Sequence, residues 1–137
     1  MAHSHDIPRD LTRNQGLVLE ALNDSVGPLS AYDILNRLRP DGLRAPLQVY
    51  RALDKLVERG LAHRLESLNA FVACADAHCH RKGLIAFAIC DSCGKVDEFT
   101  DAVIEARLGE WADGKGFAVA HTTMEIRGKC EACLKAA

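Results

Sequence analysis

With 137 residues, the chain is long enough for one ordinary domain or two small ones, and its composition of 48% hydrophobic and 26% charged residues excludes a disordered or fibrous protein. The formal net charge of -2 provides no bulk attraction to nucleic acid, so any such binding needs a local basic face. The N-terminus lacks the apolar segment of a secretory signal, and the longest apolar run, 84–90, is too short to span a bilayer. We therefore expect a cytoplasmic protein without a membrane partner.

The N-terminal part of the chain predicts two amphipathic helices, each with a capping signal before it and a break after it. The start signals are Thr12 with Gln15 and Ser30 with Asp33, and the stop signals are Gly27-Pro28 and Pro40 with Gly42. Apolar residues recur at helical spacing in both segments, which predicts buried faces made of Val18, Ala21 and Leu22 and of Ala31, Ile34, Leu35 and Leu38.

A third helix and a β-hairpin follow. The helix begins near Pro46, without a good capping residue before it, and ends at Gly60. Its predicted buried residues are Val49, Leu53, Leu56 and Val57. Two strand-like runs, Leu61–Leu65 and Ala70–Ala73, are joined by a turn-compatible stretch at 66–69. Three helices and a hairpin predict a winged helix-turn-helix domain over residues 1–74.

The outward side of the third helix carries a stripe of polar and basic residues. Gln48, Arg51, Lys55 and Arg59 recur at spacings of three and four, with Tyr50 adjacent. Such a stripe is either a solvated helix face or the DNA-reading face of a recognition helix.

Residues 75–83 are polar and without periodicity, which predicts a hinge loop before a second domain over residues 84–137. Its pattern predicts strands at Leu84–Ile89 and Lys95–Phe99, a helix at about Asp101–Asp113 and a long strand at Phe117–Arg127. The expected buried face of the helix consists of Ile104, Leu108 and Trp111. So small an α/β unit needs a staple or a partner, and zinc together with homodimer formation would supply both.

Two Cys-x-x-Cys pairs, Cys90 with Cys93 and Cys130 with Cys133, stand at the two ends of this second part, with Gly94 and Gly128 expected at tight turns beside them. Paired spacers of this kind are typical of a closed, structural four-cysteine zinc site. The alternatives are a redox dithiol or a pair of disulfides. The pattern contains neither the βαβ context of the first nor the secretory signal of the second.

A second metal site is predicted from residues that lie further apart in the chain. His63 and Cys74 are symmetric about a turn centre between positions 68 and 69, so a regular hairpin would place them nearly opposite each other. His78 and His80 follow in the loop, and Asp97 and Glu98 lie on a later strand. One thiolate, two imidazoles and one carboxylate make a plausible mixed zinc site with ligands from both parts.

Metal binding by the remaining histidines, cysteine and carboxylates is less strongly indicated. Glu105 and His121 with the unused loop histidine form a weaker third set, for which ordinary surface residues are the simpler interpretation. Cys79 is a spare thiol, and nothing is assigned to His3 and His5 near the N-terminus.

Three segments together resemble the ferric uptake regulator family: 29–35 (LSAYDIL), 49–56 (VYRALDKL) and 90–99 (CDSCGKVDEF). The resemblance extends over nearly the whole chain, and the first two segments are most similar to the zinc-uptake branch. It implies an α+β protein, with a winged helix-turn-helix followed by an α/β dimerisation domain. It also implies a zinc-responsive bacterial repressor that binds A/T-rich palindromic operators of zinc-uptake genes as a homodimer.

The resemblance also assigns roles to residues. Tyr50 and Arg51 would contact the bases, and the regulatory zinc ligands would be His63, Cys74, Glu98 and a hinge histidine. His80 is preferred over His78 because it is nearer the second domain, although the spacing from these histidines to Cys90 is longer than in the family pattern. About two zinc ions are expected per subunit, and no small organic substrate.

Other functions remain as alternatives. An iron or peroxide sensor of the same family would use mostly nitrogen and oxygen ligands, and Cys74 disfavours both. A zinc hydrolase needs an open coordination position and a thiol-disulfide oxidoreductase needs an accessible, acidic thiol. Because the pattern shows neither, we expect no enzyme. A metal-independent binding module would bind DNA equally well after chelation.

Overall fold

The computed structural model describes residues 7–74 and 83–136, and the chain divides into two compact units, Met1–His80 and Arg81–Ala137. The predicted hinge lies almost entirely outside the described residues. Within the described ranges, no helix combines the length and the apolar character needed to cross a membrane.

The first unit is a three-helix domain with a two-stranded antiparallel hairpin. Its helices are α1 (Arg13–Asp24), α2 (Ala31–Leu38) and α3 (Pro46–Glu58), and its strands are β1 (Ala62–Leu65) and β2 (Ala70–Ala73). A short 3-10 turn, Arg39–Asp41, follows α2 and was not predicted. One apolar core joins all three helices to the hairpin. The predicted winged helix-turn-helix is confirmed.

Both predicted capping boxes are present. The Thr12 hydroxyl accepts from the Gln15 N–H at 3.2 Å, and the Gln15 side chain accepts from the Thr12 N–H at 3.1 Å. Ser30 and Asp33 make the same reciprocal pair. However, α1 ends at Asp24 rather than at Gly27, because Ser25 adopts an extended backbone and its hydroxyl donates to the Gly27 carbonyl at 2.6 Å.

The start of α3 is capped from inside the helix. Ala45 precedes Pro46 and offers no capping side chain, as the sequence indicated. Instead, the Gln48 amide oxygen accepts from the Arg44 N–H at 2.8 Å and from the Ala45 N–H at 3.1 Å. The buried residues of α3 are Val49, Ala52, Leu53 and Leu56, so the expected burial of Val57 was wrong. Val57 lies at the margin of the buried arc and is 38% exposed.

The register of the hairpin differs from the expected one by two residues. His63 pairs with Val72 and Leu65 pairs with Ala70, so the four-residue turn is centred between Ser67 and Leu68. Cys74 therefore does not lie opposite His63. It follows β2 and donates its N–H to the Leu61 carbonyl at 2.9 Å, which makes it a diagonal neighbour of His63.

The second unit contains a three-stranded mixed sheet. Its elements are β3 (Leu84–Cys90), β4 (Val96–Phe99), α4 (Ala102–Gly114), β5 (Thr122–Gly128) and α5 (Glu131–Ala136), and the strand order is β4-β3-β5. β3 pairs with β4 antiparallel and with β5 parallel. The chain thus does contain a parallel pair connected through a helix, contrary to the sequence interpretation. The short helix α5 was not predicted.

The start of the last strand and the burial of the last long helix also differ from the sequence-based prediction. β5 begins at Thr122 rather than at Phe117, because Leu84, the first residue of β3, pairs with Thr122. In α4 only Ala112 is buried among the described residues, whereas Leu108 is 38% and Trp111 is 55% exposed. Their periodicity therefore marks an apolar face that the single chain leaves open.

The structure predicts that truncating two leucines of the same helix has very different effects on stability. Leu53 is fully buried, so Leu53→Ala should lower the free energy of unfolding by about 2–5 kcal/mol. Leu47 is 57% exposed, and Leu47→Ala should change it by less than about 0.5 kcal/mol. Urea denaturation followed by circular dichroism would measure both. Equal destabilisation by the two substitutions would contradict the packing of α3.

Candidate metal centres and recognition helix

The four cysteines of the two Cys-x-x-Cys turns, called the knuckles, meet at one point of the second unit. Their sulfur atoms all lie within 4.8 Å of one another, with 3.7 Å from Cys90 to Cys133 and 3.7 Å from Cys93 to Cys130. A tetrahedral zinc ion with Zn–S bonds of about 2.3 Å separates its sulfurs by about 3.8 Å. All four are free cysteines rather than disulfides. The donor set and its spacing therefore fit a closed zinc site.

The backbone around the first pair directs the sulfurs inward. The Cys90 sulfur accepts from the N–H groups of Cys93 and Cys130, each at 3.4 Å. The positive φ of Gly94, 79°, allows the tight turn between β3 and β4. Gly128 has a different role from the expected one, because it is the last residue of β5 and its carbonyl accepts from the Asp91 N–H at 2.7 Å.

The four thiols are not equivalent when no metal is bound. Hydrogen bonds from the backbone of Cys130 and then of Cys93 lower the pKa of the Cys90 thiol to about 6. Hydrogen bonding to the thiols of Cys130, Cys90 and Cys93 raises the pKa of Cys133 to about 12. At neutral pH the cluster thus combines at least one thiolate with at least one protonated thiol.

An ion pair links the two knuckles outside the sulfur cluster. Asp91 lies between the first two cysteines, and Arg127 lies near the end of β5. The Asp91 carboxylate accepts from Arg127 Nε at 2.9 Å and from Nη2 at 2.8 Å. Because each residue adjoins one Cys-x-x-Cys turn, the pair orients both turns from a half-exposed position.

Two of the predicted regulatory ligands come together on the hairpin. The nearest ligand atoms of His63 and Cys74 lie within 4.8 Å of each other, and His63 Nε2 is buried. The register that the hairpin adopts still keeps the two residues close, since diagonal neighbours on one face are within reach of each other. Cys74 is disulfide-bonded in this structure, so it can ligate a metal only after reduction to the thiol.

The other predicted ligands belong to the second unit or lie outside the description. Glu98 is on β4, where it pairs with Phe87 of β3, and the neighbouring Asp97 forms an ion pair with Lys95 at 3.7 Å. His78, His80 and Cys79, and the N-terminal His3 and His5, lie outside the described residues. Glu105 and His121 line one pocket of about 210 Å³ next to α4.

The outward side of α3 is exposed as predicted. Tyr50, Arg51 and Lys55 are all exposed on this side, together with Gln48. Two of the basic residues of the stripe have acidic partners, Glu58 for Lys55 at 3.3 Å and Asp10 for Arg59 at 3.2 Å. Leu47, in the first turn of α3, lies at the same surface and is 57% exposed, although it is not part of the predicted polar stripe.

Comparison with known proteins identifies the family. The model of the ferric uptake regulator family matches residues 10–127. The chain belongs to the ferric uptake regulator family. It is 38% identical over 128 residues to the zinc uptake regulation protein of Escherichia coli K12, covering 91% of this chain and 73% of that protein. To the ferric uptake regulation protein of Shigella flexneri it is 33% identical over 105 residues, covering 74% of this chain and 68% of that protein.

A solved structure of a zinc uptake regulator complexed with zinc and DNA has the same fold. It superimposes with a TM-score of 0.84 at 37% identity, over 92% of this chain and 84% of that one. The predicted fold class and family are thereby confirmed.

The ion pair between the knuckles should control how long zinc is retained. Arg127→Ala should accelerate zinc loss to a chelator by about tenfold, because the turn that holds Cys90 and Cys93 loses its link to the other turn. A colorimetric zinc chelator in excess would give the rate. Lys129→Ala, which removes a neighbouring positive charge instead, should release zinc at the wild-type rate. Equal acceleration by both would show that only local charge matters.

Zinc uptake by the metal-free protein should release fewer than four protons at pH 7.5. The lowered pKa of Cys90, about 6, means that this thiol is already ionised there, whereas the raised pKa of Cys133 means that its proton must be displaced. The apparent zinc affinity should therefore rise with pH. Titration calorimetry in buffers of different ionisation enthalpy measures the count, and release of four protons would contradict the lowered pKa.

Proposed function

We propose that the protein is a zinc-responsive, homodimeric transcriptional repressor of the bacterial cytoplasm, which binds A/T-rich palindromic operators of zinc-uptake genes when zinc-loaded. The observation that carries the proposal is the proximity of the Cys74 sulfur and the His63 imidazole, within 4.8 Å of each other on the wing, the hairpin of β1 and β2. The similarity to zinc uptake regulators over nine-tenths of the chain supports it.

The ligand chemistry favours zinc over iron. A thiolate is a softer ligand than a carboxylate or an imidazole and is better suited to zinc than to ferrous iron. An iron- or peroxide-responsive regulator is the alternative, supported by the similarity to ferric uptake regulation proteins. The two readings differ in the metal that activates DNA binding.

The two metal sites have different proposed roles. Cys90, Cys93, Cys130 and Cys133 would hold a structural zinc that stabilises the second unit, because four thiolates leave no open position for a substrate. We assign no enzymatic activity for this reason. His63, Cys74, Glu98 and the hinge histidine His80 would hold the regulatory zinc, with His78 as the alternative to His80. About two zinc ions per subunit follow.

DNA binding is proposed through α3. Its exposed face contributes Tyr50 and Arg51 for contacts to base edges and Lys55 for a contact to phosphate, with Gln48 at the same face. Since Lys55 forms an exposed ion pair with Glu58, exchanging that partner for a phosphate costs little.

Homodimer formation would cover the apolar face of the second unit. Leu108, Trp111, Phe117, Val119 and Ile126 are each more than one-third exposed in the single chain. Such a face on a small domain favours association, and a two-fold dimer matches the symmetry of a palindromic operator.

The proposed switch couples metal binding to DNA binding. His63 and Cys74 belong to the wing, whereas Glu98 belongs to the second unit, so their sharing of one ion would restrict the relative motion of the two units. Moving a two-state equilibrium from 1:99 to 99:1 requires about 5.5 kcal/mol of differential binding. Structural zinc sites provide apparent binding energies of about 10 kcal/mol or more. By linkage, the operator must raise zinc affinity by the same factor.

Removing the wing ligands should abolish the switch without unfolding the protein. Cys74→Ser and His63→Ala should keep the dimer and one zinc per subunit, yet lose at least about tenfold of the zinc-dependent gain in operator affinity. Fluorescence anisotropy with DNA selected from a random library would measure this in reducing buffer, with free zinc, manganese and iron(II) buffered separately.

Ser67→Ala, in the exposed turn of the same hairpin, is the matched control and should respond to zinc normally. A wild-type response to iron(II) but not zinc would establish the iron-responsive alternative. A Cys74→Ser protein with the wild-type zinc response would remove the wing pair from the sensor.

A further inference from the structure

Leu47 stands at the head of the exposed side of α3. It is 57% exposed, and it begins a row of residues spaced by four, three and four, which share one side of a helix: Leu47, Arg51, Asp54 and Glu58. The buried residues Val49, Leu53 and Leu56 occupy the opposite side. An apolar side chain therefore lies at the centre of the outward face, one turn before Arg51.

The charges along this row indicate which end of the helix approaches DNA most closely. Asp54 and Glu58 are exposed in its C-terminal half, where phosphates would repel them. Leu47 and Arg51 lie in the N-terminal half. In helix-turn-helix docking, the N-terminal residues of the recognition helix contact base edges. This docking geometry would place Leu47 and Arg51, rather than Asp54 and Glu58, next to the bases.

The backbone around Leu47 is held in place before any DNA binds. Pro46 fixes the first helical position, and the Gln48 amide oxygen accepts from the N–H groups of Arg44 and Ala45. Because this oxygen already caps the helix, it is engaged within the protein. Leu47 is the apolar side chain that this turn presents on the outward face.

Resting on the proposed function, we propose that Leu47 is a specificity-determining residue that packs against the C5-methyl group of a thymine in each half-site, with Gln48 as its positioning residue. Leucine has no hydrogen-bond donor or acceptor, so it cannot read the polar edge of a base. The thymine methyl is the apolar group that distinguishes base pairs in the major groove. Thymine is also the base that an A/T-rich operator supplies.

The test removes the methyl group alone. In the selected operator, each thymine is replaced in turn, in both half-sites, by deoxyuridine, and the affinity of the zinc-loaded protein is measured by anisotropy. For the wild type, one position should lose affinity by about fourfold per half-site, the effect of burying one methyl group. In Leu47→Ala, the affinity should fall on the thymine operator, and deoxyuridine at that position should cause no further loss.

Two controls separate this contact from its neighbours. Arg51→Ala should weaken binding but keep the deoxyuridine effect at the Leu47 position, and any thymine that contacts Tyr50 should stay sensitive in Leu47→Ala. Gln48→Met, which loses the cap, should reduce the deoxyuridine effect, whereas Gln48→Glu, which keeps both accepted hydrogen bonds, should restore it.

The outcomes are distinct. If the zinc-loaded wild type selects no DNA sequence from the random library, the proposed function and this inference both fail. If it binds, but Leu47→Ala shows the wild-type loss at every thymine, the contact with Leu47 is excluded while the proposed function stands. Loss of the deoxyuridine effect at a single symmetric pair of thymines in Leu47→Ala establishes it.

Discussion

The convergence of four sulfur atoms within 4.8 Å is the constraint on which the second unit depends. Its described core is small, with Leu84, Ala86, Phe87, Ile89, Cys90 and Ala112 as its buried apolar residues. A unit of this size buries too little apolar surface to be stable without further support. The thiol cluster ties the end of β3 to the chain after β5, and the ion pair of Asp91 with Arg127 keeps the two turns aligned.

The elements with a local cause were predictable from the sequence. Two helix starts were predicted from capping boxes, Thr12 with Gln15 and Ser30 with Asp33, because a capping box satisfies backbone donors with residues only three positions away. The Cys-x-x-Cys pairs likewise indicated their own site. The hairpin register was missed because the turn centre was expected between positions 68 and 69, whereas the pairing of Leu65 with Ala70 puts it one residue earlier and shifts every partner by two.

Features that depend on contacts between distant parts of the chain were harder to predict from the sequence. The periodicity of α4 correctly indicated an apolar face, but periodicity cannot tell whether the same chain or a second copy covers it, and Trp111 is exposed here. The start of β5 depended on where β3 begins. The cap on α3 was missed although it is local, because Gln48 reaches back to the Ala45 N–H from within the helix, whereas a capping side chain is expected before Pro46.

The parallel pairing of β3 with β5 gives the metal site a role in fold specificity. Cys90 is the register partner of Gly128, so both cysteine pairs lie at the same edge of the sheet. A slip of one residue between these strands would move Cys130 by about 3.3 Å, more than a whole Zn–S bond of about 2.3 Å. A bound ion would therefore be coordinated by all four sulfurs in only one alignment of the two strands, and it would stabilise that alignment over misaligned sheets.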